Sequence, residues 1–209
     1  MSSSSEDTQI ATQHAAARRF QWPLFLGLIA LAAATRLLPH PPNLTALGAV
    51  ALFAGVYVSR WQLALLVPLI AVLIGDLILP MTPIGNGRWT FPASQYALFG
   101  LTVLFGFAIR TRPTAGRVVV SMLAATVLYY VVSNFFVWYS DADGVPLYAK
   151  TSAGLVECYI AALPFARNMV VGNLFYAALL FGGWRLAAQR LGSPELTGAE
   201  SSSAKARLS

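Results

Sequence analysis

Two charged side chains stand inside long apolar runs: Asp76 in the stretch from Trp61 to Leu79, and Arg167 in the stretch from about Ile160 to Trp184. Asn134, Asn168 and Asn173 add uncharged polarity to similar surroundings. A charge in a membrane segment costs about 2.5–3.5 kcal/mol on insertion scales, so it persists where it pairs or binds something. Two chemistries are open. Arg167, Asn168, Asn134 and Asp76 line a substrate pocket, in which the arginine offers five donors in a fixed fork and the amides offer both donors and acceptors. Alternatively, Asp76 and Arg167 form a structural ion pair that pins two helices together.

Reactive chemistry finds less support. Cys158 follows Glu157, but no histidine or other base stands near it in sequence. One cysteine excludes an internal disulfide and any multi-cysteine metal site. Asp141 and Asp143, two residues apart without further oxygen donors, make a poor calcium site. There is no glycine-rich loop ending in Gly-Lys-Ser/Thr, no His-Glu-x-x-His and no Gly-x-Ser-x-Gly. The expectation is a protein that is not an enzyme, holds no metal and has no intrinsic cofactor.

The elements that must position these groups follow from composition. Hydrophobic residues make up 57% of the 209 and charged residues 11%, against about 45–50% and 25% in soluble domains. Mean hydropathy is +0.63. A soluble fold of this size lacks the polar residues to coat so much apolar surface. The reading is an all-α polytopic membrane protein. Residues 1–17 and 191–209 are polar, Ser-rich tails expected to be disordered and cytoplasmic, flanking a transmembrane domain over 18–190.

Six apolar segments run from about Trp22 to Leu38, Thr45 to Val58, Trp61 to Leu79, Ser94 to Ile109, Arg117 to Trp138 and Ile160 to Trp184. A spanning helix needs about 17–25 apolar residues. The third, fifth and sixth fit comfortably, the first marginally, and the second and fourth are short enough to need protein around them. Arg18-Arg19, the apolar run and Ala32-Ala33-Ala34 also have the makeup of a signal peptide, a rival reading of the first segment.

With six spans and both termini in the cytoplasm, ten cations fall inside: Arg18, Arg19, Arg60, Arg110, Arg112, Arg117, Arg185, Arg190, Lys205 and Arg207. Arg36, Arg88 and Lys150, three in all, fall outside. Ten against three is the asymmetry that the positive-inside rule demands. The net charge of +6 is therefore a topology signal, and no basic patch interleaved with aromatics points to nucleic acid.

In this topology Asp76 lies about 5 Å below the outer end of its segment, Asn134 about 6 Å below Trp138, and Arg167 within about 10 Å of its outer end. Three segments thus bring polar groups to the outer half of the membrane, as a site that captures something from outside requires. The first outer loop, Arg36 to Thr45, holds three prolines and is stiff enough to carry His40 and Asn43 over a pocket. The loop from Pro80 to Pro92 carries Met81 and the aromatics Trp89 and Phe91, and the aromatics read as interface anchors or as a lid or pocket wall. Gly27, Ala30 and Ala34 recur at i, i+3 and i+7 on the first helix, and Ala51 and Gly55 share a face of the second. Small faces of this kind serve close helix packing or contact with a partner.

The runs Arg36-Leu-Leu-Pro-His-Pro-Pro-Asn-Leu-Thr-Ala-Leu-Gly-Ala-Val-Ala-Leu-Phe-Ala-Gly, Leu66-Val-Pro-Leu with Gly75-Asp76-Leu77, Ser133-Asn-Phe-Phe-Val-Trp138 and Glu157-Cys-Tyr-Ile-Ala-Ala-Leu-Pro-Phe-Ala-Arg-Asn168 resemble a family of bacterial membrane proteins. That family is similar to the substrate-binding (S) components of energy-coupling-factor (ECF) vitamin transporters. The resemblance spans about residues 22–184. It implies a six-helix bundle with cytoplasmic ends and an outward pocket closed by the loops after helices one, three and five. It also implies a separate transmembrane coupling subunit and two cytoplasmic ATPases as partners. An Ala-x-x-x-Ala-type contact with the coupling subunit would fall on Ala30 and Ala34. Where some cobalamin-specific members place a cysteine in the loop after helix three, this chain has Met81.

The expected function is therefore a substrate-binding subunit for vitamin or cofactor uptake, with a cobalamin-like ligand the first candidate. Asn43, Asp76, Asn134, Trp138, Arg167 and Asn168 are its expected binding residues, and His40, Met81 and Trp89 its gate or ligand contacts. The alternatives are a membrane scaffold or assembly protein without transport, and an intramembrane enzyme lacking a visible acid–base pair.

Overall fold

The computed structural model describes residues 22–82, 87, 92–142 and 145–191. The tails expected over 1–17 and 191–209 lie outside these residues, apart from Leu191, which ends the last helix. Six α-helices make up most of the described chain: α1 (Trp22–Leu37), α2 (Leu47–Tyr57), α3 (Trp61–Ile78), α4 (Ala93–Ile109), α5 (Ala115–Tyr139) and α6 (Ser152–Leu191). A 3₁₀ turn, Leu79–Met81, extends α3. Between α5 and α6 two short strands, β1 (Asp141–Ala142) and β2 (Val145–Pro146), pair antiparallel with Asp141 opposite Pro146.

The second segment is apolar on every side, and α2 is accordingly buried from Leu47 through Val56. A helix hydrophobic all round belongs in the centre of a structure. It packs against α3, α4, α5 and α6. Its tightest neighbour is α4: a Cβ on Gly55 would meet the Val103 carbonyl and the Gly106 backbone, and a Cβ on Gly106 would meet Leu52 and Gly55. These two glycines let the helix backbones touch, as small residues do between apolar helices. Arg110, at the end of α4, donates from Nε to the Val56 carbonyl at 3.2 Å and from Nη2 to the Val58 carbonyl. The guanidinium thus occupies carbonyls that the end of α2 leaves without helical partners, where positive charge is favoured.

The face of α1 formed by Phe25, Leu28, Ile29 and Ala32, at i, i+3, i+4 and i+7, joins the core. The Gly27, Ala30 and Ala34 face looks outward. The small face of α2 does the reverse, with Ala51 and Gly55 both buried.

The sixth helix begins at Ser152 rather than near Ile160. Thr151 supplies the start signal, its Oγ1 accepting from the Gly154 N–H at 3.2 Å, a helix N-cap. Polar residues in this first stretch, Glu157 among them, hide it from a hydropathy reading. Arg167 consequently lies about 22 Å along the helix from Ser152, at 1.5 Å per residue, and not within the first ten.

Three helices are long and apolar enough to cross a membrane: Trp61–Met81, Ala115–Tyr139 and Ser152–Ala187. α1, α2 and α4 are apolar but shorter. The outer surfaces of α5 and α6 expose Val120, Val127, Phe175 and Leu179 among other large apolar side chains. Such a surface fits association with a membrane.

Candidate functional site

The loop joining α1 to α2 is fastened at both shoulders. The Thr35 hydroxyl accepts from the Ala46 N–H at 3.1 Å, at the start of α2. Asn168 of α6 donates from Nδ2 to the Pro42 carbonyl at 3.0 Å. Between these points Pro41 and Leu44 close a turn at 3.0 Å. Asn43 stands in the left-handed region at φ 63°, which asparagine tolerates better than most residues.

Beneath this loop lies a cavity of about 520 Å³, mid-range for small-molecule sites of about 300–1,000 Å³. Its roof is the segment from Arg36 to Asn43, including His40. Leu47 and Gly48 of α2, Gln95, Phe99 and Thr102 of α4, and Leu79 form further wall. Met122, Thr126 and Tyr129 of α5 and Met169 and Asn173 of α6 complete it. Asn173 is buried, and its Nδ2 donates to Thr126 Oγ1 at 2.9 Å. Thr126 in turn donates to the Met122 carbonyl at 2.7 Å. The Asn173 carboxamide lies where a Cβ on Gly48 would be, so the glycine at the start of α2 makes room for it.

Arg36 forms one corner of the cavity. It is ion-paired with Asp76 of α3, and Tyr96 Oη donates to Asp76 Oδ2 at 2.9 Å. The side chains are 16% and 5% exposed, respectively. A Cβ on Gly75 would overlap Nε and Cδ of Arg36, so glycine at this position gives the guanidinium its path to the neighbouring carboxylate. Arg36 touches the cavity and Asp76 stands behind it.

A second cavity of about 420 Å³ adjoins the first, and Asn43, Gln95, Tyr129 and Met169 line both. Its other walls include Ser94 of α4, Ser133 and Asn134 of α5, and Phe165 of α6. No group of three or more His, Cys, Asp or Glu able to hold a metal occurs among the described residues. The Cys158 thiol is buried, 3.5 Å from the Asn134 carbonyl, as a packed side chain.

The profile of one protein family matches residues 16–196. The chain belongs to DUF6580, a family of unknown function. No curated protein and no solved structure matches it.

The residues singled out from sequence fall into distinct places. His40 and Asn43 line the main cavity, and Asn134 lines the second, its Nδ2 donating to the Tyr130 carbonyl of its own helix at 2.8 Å. Asn168 holds the loop rather than facing either cavity. The Asp76–Arg167 pair does not form. Arg36 is one residue from the end of α1 and Asp76 two from the end of α3, so both reach the same end of the bundle, while Arg167 points outward from α6 and is exposed.

Trp138 lines neither cavity. Its Nε1 donates to the Ala149 carbonyl at 2.9 Å and Lys150 Nζ lies 5.9 Å from its ring centroid, so it braces the stretch that leads from β2 into α6. Met81 is 76% exposed and away from both cavities. Trp89 lies outside the described residues. Ala30 and Ala34 are exposed and take no part in either cavity.

Sequence reasoning passed over Arg36, Gln95, Thr102, Thr126 and Tyr129 as site residues, and noted Asn173 without assigning it. A signal existed for the threonines and Asn173, which interrupt apolar helices. The glycines at 48 and 75 mark where the backbone yields space to Asn173 and Arg36.

Proposed function

We propose that the protein is a membrane-embedded solute-binding subunit that captures a vitamin- or cofactor-sized molecule from the outer face, in the manner of ECF transporter S components. The observation that carries this reading is the cavity of about 520 Å³ beneath the first loop, walled by side chains from α1, α2, α4, α5 and α6. In this reading all six helices sit in the bacterial inner membrane with both termini cytoplasmic. α2, with 11 residues, is only about 17 Å long. It is tolerated because protein, not lipid, surrounds it. The ten-to-three distribution of cations supports the orientation. The cavity suits a ligand of one or two rings better than a corrinoid, which is larger than a drug-sized molecule, so a smaller vitamin now leads over cobalamin. The chain carries no phosphate-binding loop, so energy for uphill movement must come from partners, such as a coupling subunit with ATPases, or from a gradient. The outward Gly27–Ala30–Ala34 face is where a transmembrane partner would approach closely.

The test is native mass spectrometry of gently extracted protein, followed by binding measurements across a vitamin panel. One ligand per chain at submicromolar affinity is expected. No retained ligand and no binding across the panel would defeat the reading. Orientation is checked separately in a Cys158→Ala background. Cysteines at Arg60 or Arg112 should react with an impermeant thiol reagent only from the cytoplasmic side, and a cysteine at Leu147 only from the other.

A further inference from the structure

We infer that the cavity selects an uncharged, ring-bearing ligand and rejects ionised relatives of the same shape; this rests on the solute-binding reading above. No Asp or Glu occurs among the described residues lining either cavity. A cationic ligand therefore meets no carboxylate on these walls. The guanidinium that does reach the main cavity, Arg36, is already neutralised by Asp76. Both oxygens of that carboxylate are engaged, one by Arg36 and the other by the Tyr96 hydroxyl.

An anionic ligand binding Arg36 would place a second negative charge on a cation that already holds one, within a few ångströms of Asp76. Like charges sharing a partly buried site disfavour ionisation of one of them. Taking an ion out of water costs more than neutral hydrogen bonds return. The wall offers mainly neutral recognition. Gln95 and Asn173 present carboxamides, and Thr102 gives its proton to the Leu98 carbonyl at 3.0 Å, leaving its oxygen to accept. Phe99 and Tyr129, with ring centroids 5.2 Å apart, and the Met122 thioether form the apolar part, which favours aromatic contact with a ring.

The experiment compares matched pairs on the full-length protein in nanodiscs by equilibrium dialysis at pH 8. The probes are nicotinamide with nicotinate, biotinamide with biotin, riboflavin with its 5′-phosphate, and thiamin as a cation. In any pair that binds, the neutral member should bind at least tenfold more tightly, and thiamin should not bind. Asp76→Asn keeps the shape of the carboxylate but releases the charge of Arg36, and should narrow the neutral-to-anion ratio by fivefold or more. Equal or tighter binding of a charged member, or of thiamin, overturns this inference while leaving the solute-binding reading intact. Failure of every probe to bind, with no ligand retained on gentle extraction, overturns both. If Asp76→Asn does not fold, the wild-type ratios decide alone; a folded Asp76→Asn protein with an unchanged ratio counts against the inference.

Discussion

Replacing Arg36 with methionine isolates what the ion pair does for the bundle. The substitution keeps much of the apolar stem and removes the guanidinium, leaving Asp76, 5% exposed, with the Tyr96 hydroxyl as its remaining described partner. Breaking a buried pair by deleting one side costs about 3–5 kcal/mol, because the surviving charge is uncompensated. Tyr96 still donates, so the expected loss is about 3 kcal/mol, at the lower end of that range. Restoring neutrality with Arg36→Met plus Asp76→Leu should recover most of it, since an apolar replacement of a whole buried pair is often neutral. The assay is reversible unfolding in mixed micelles, read by circular dichroism across denaturant, for both singles, the double and Arg167→Met. The exposed Arg167 should change stability by less than about 0.5 kcal/mol. The reasoning is refuted if Arg36→Met costs under about 1 kcal/mol, if the two singles simply add, or if Arg167→Met is the damaging change.

Three further outcomes follow from packing and capping. Gly106→Leu should destabilise by about 3 kcal/mol by forcing α4 off the backbone of α2, seen as a lowered unfolding midpoint, whereas Gly183→Leu, with open space around it, should be nearly silent. Arg110→Ala should cost about 1–2 kcal/mol by stripping the Val56 and Val58 carbonyls of their donor, measured by the same denaturation. Asn168→Ala removes the bond to Pro42 at an exposed position and should leave stability within about 0.5 kcal/mol. Stopped-flow release of a bound ligand should nevertheless accelerate severalfold, because one shoulder of the covering loop is freed.

The helices were legible because a long apolar run admits few other structures. The start of α2, the span of α3 and the limits of α5 all sit within a few residues of the sequence reading. The start of α6 was not, because its N-cap Thr151 and first turns look like loop to a hydropathy count. The site was only partly legible. Proline spacing pointed to the first loop, and His40 and Asn43 do line the cavity beneath it. Pairing was not legible: Asp76 and Arg167 are the two charges inside apolar runs, so a pair between them is one of two alternatives from sequence, whereas Arg36 reads as an outer-loop cation. Helix ends that meet in space are not ordered by hydropathy, and only the clearance at Gly75 reveals which arginine arrives. Gln95, Thr102 and Tyr129 escaped for a related reason, since a polar residue on a helix gives no sign of whether it faces lipid, core or void.

The complete enclosure of α2 bears on how the chain is made. A segment enclosed by other helices in the finished molecule has nothing to cover its apolar surface until they arrive. At 11 residues it is also too short to span a bilayer alone. Until α4 emerges from the ribosome, the groove at Gly55 has no companion, and α6, which packs on the same helix, comes later still. Until the last of these neighbours has been synthesised, the apolar surface of α2 stays uncovered, and a nascent chain arrested before α6 should be prone to aggregate or be degraded.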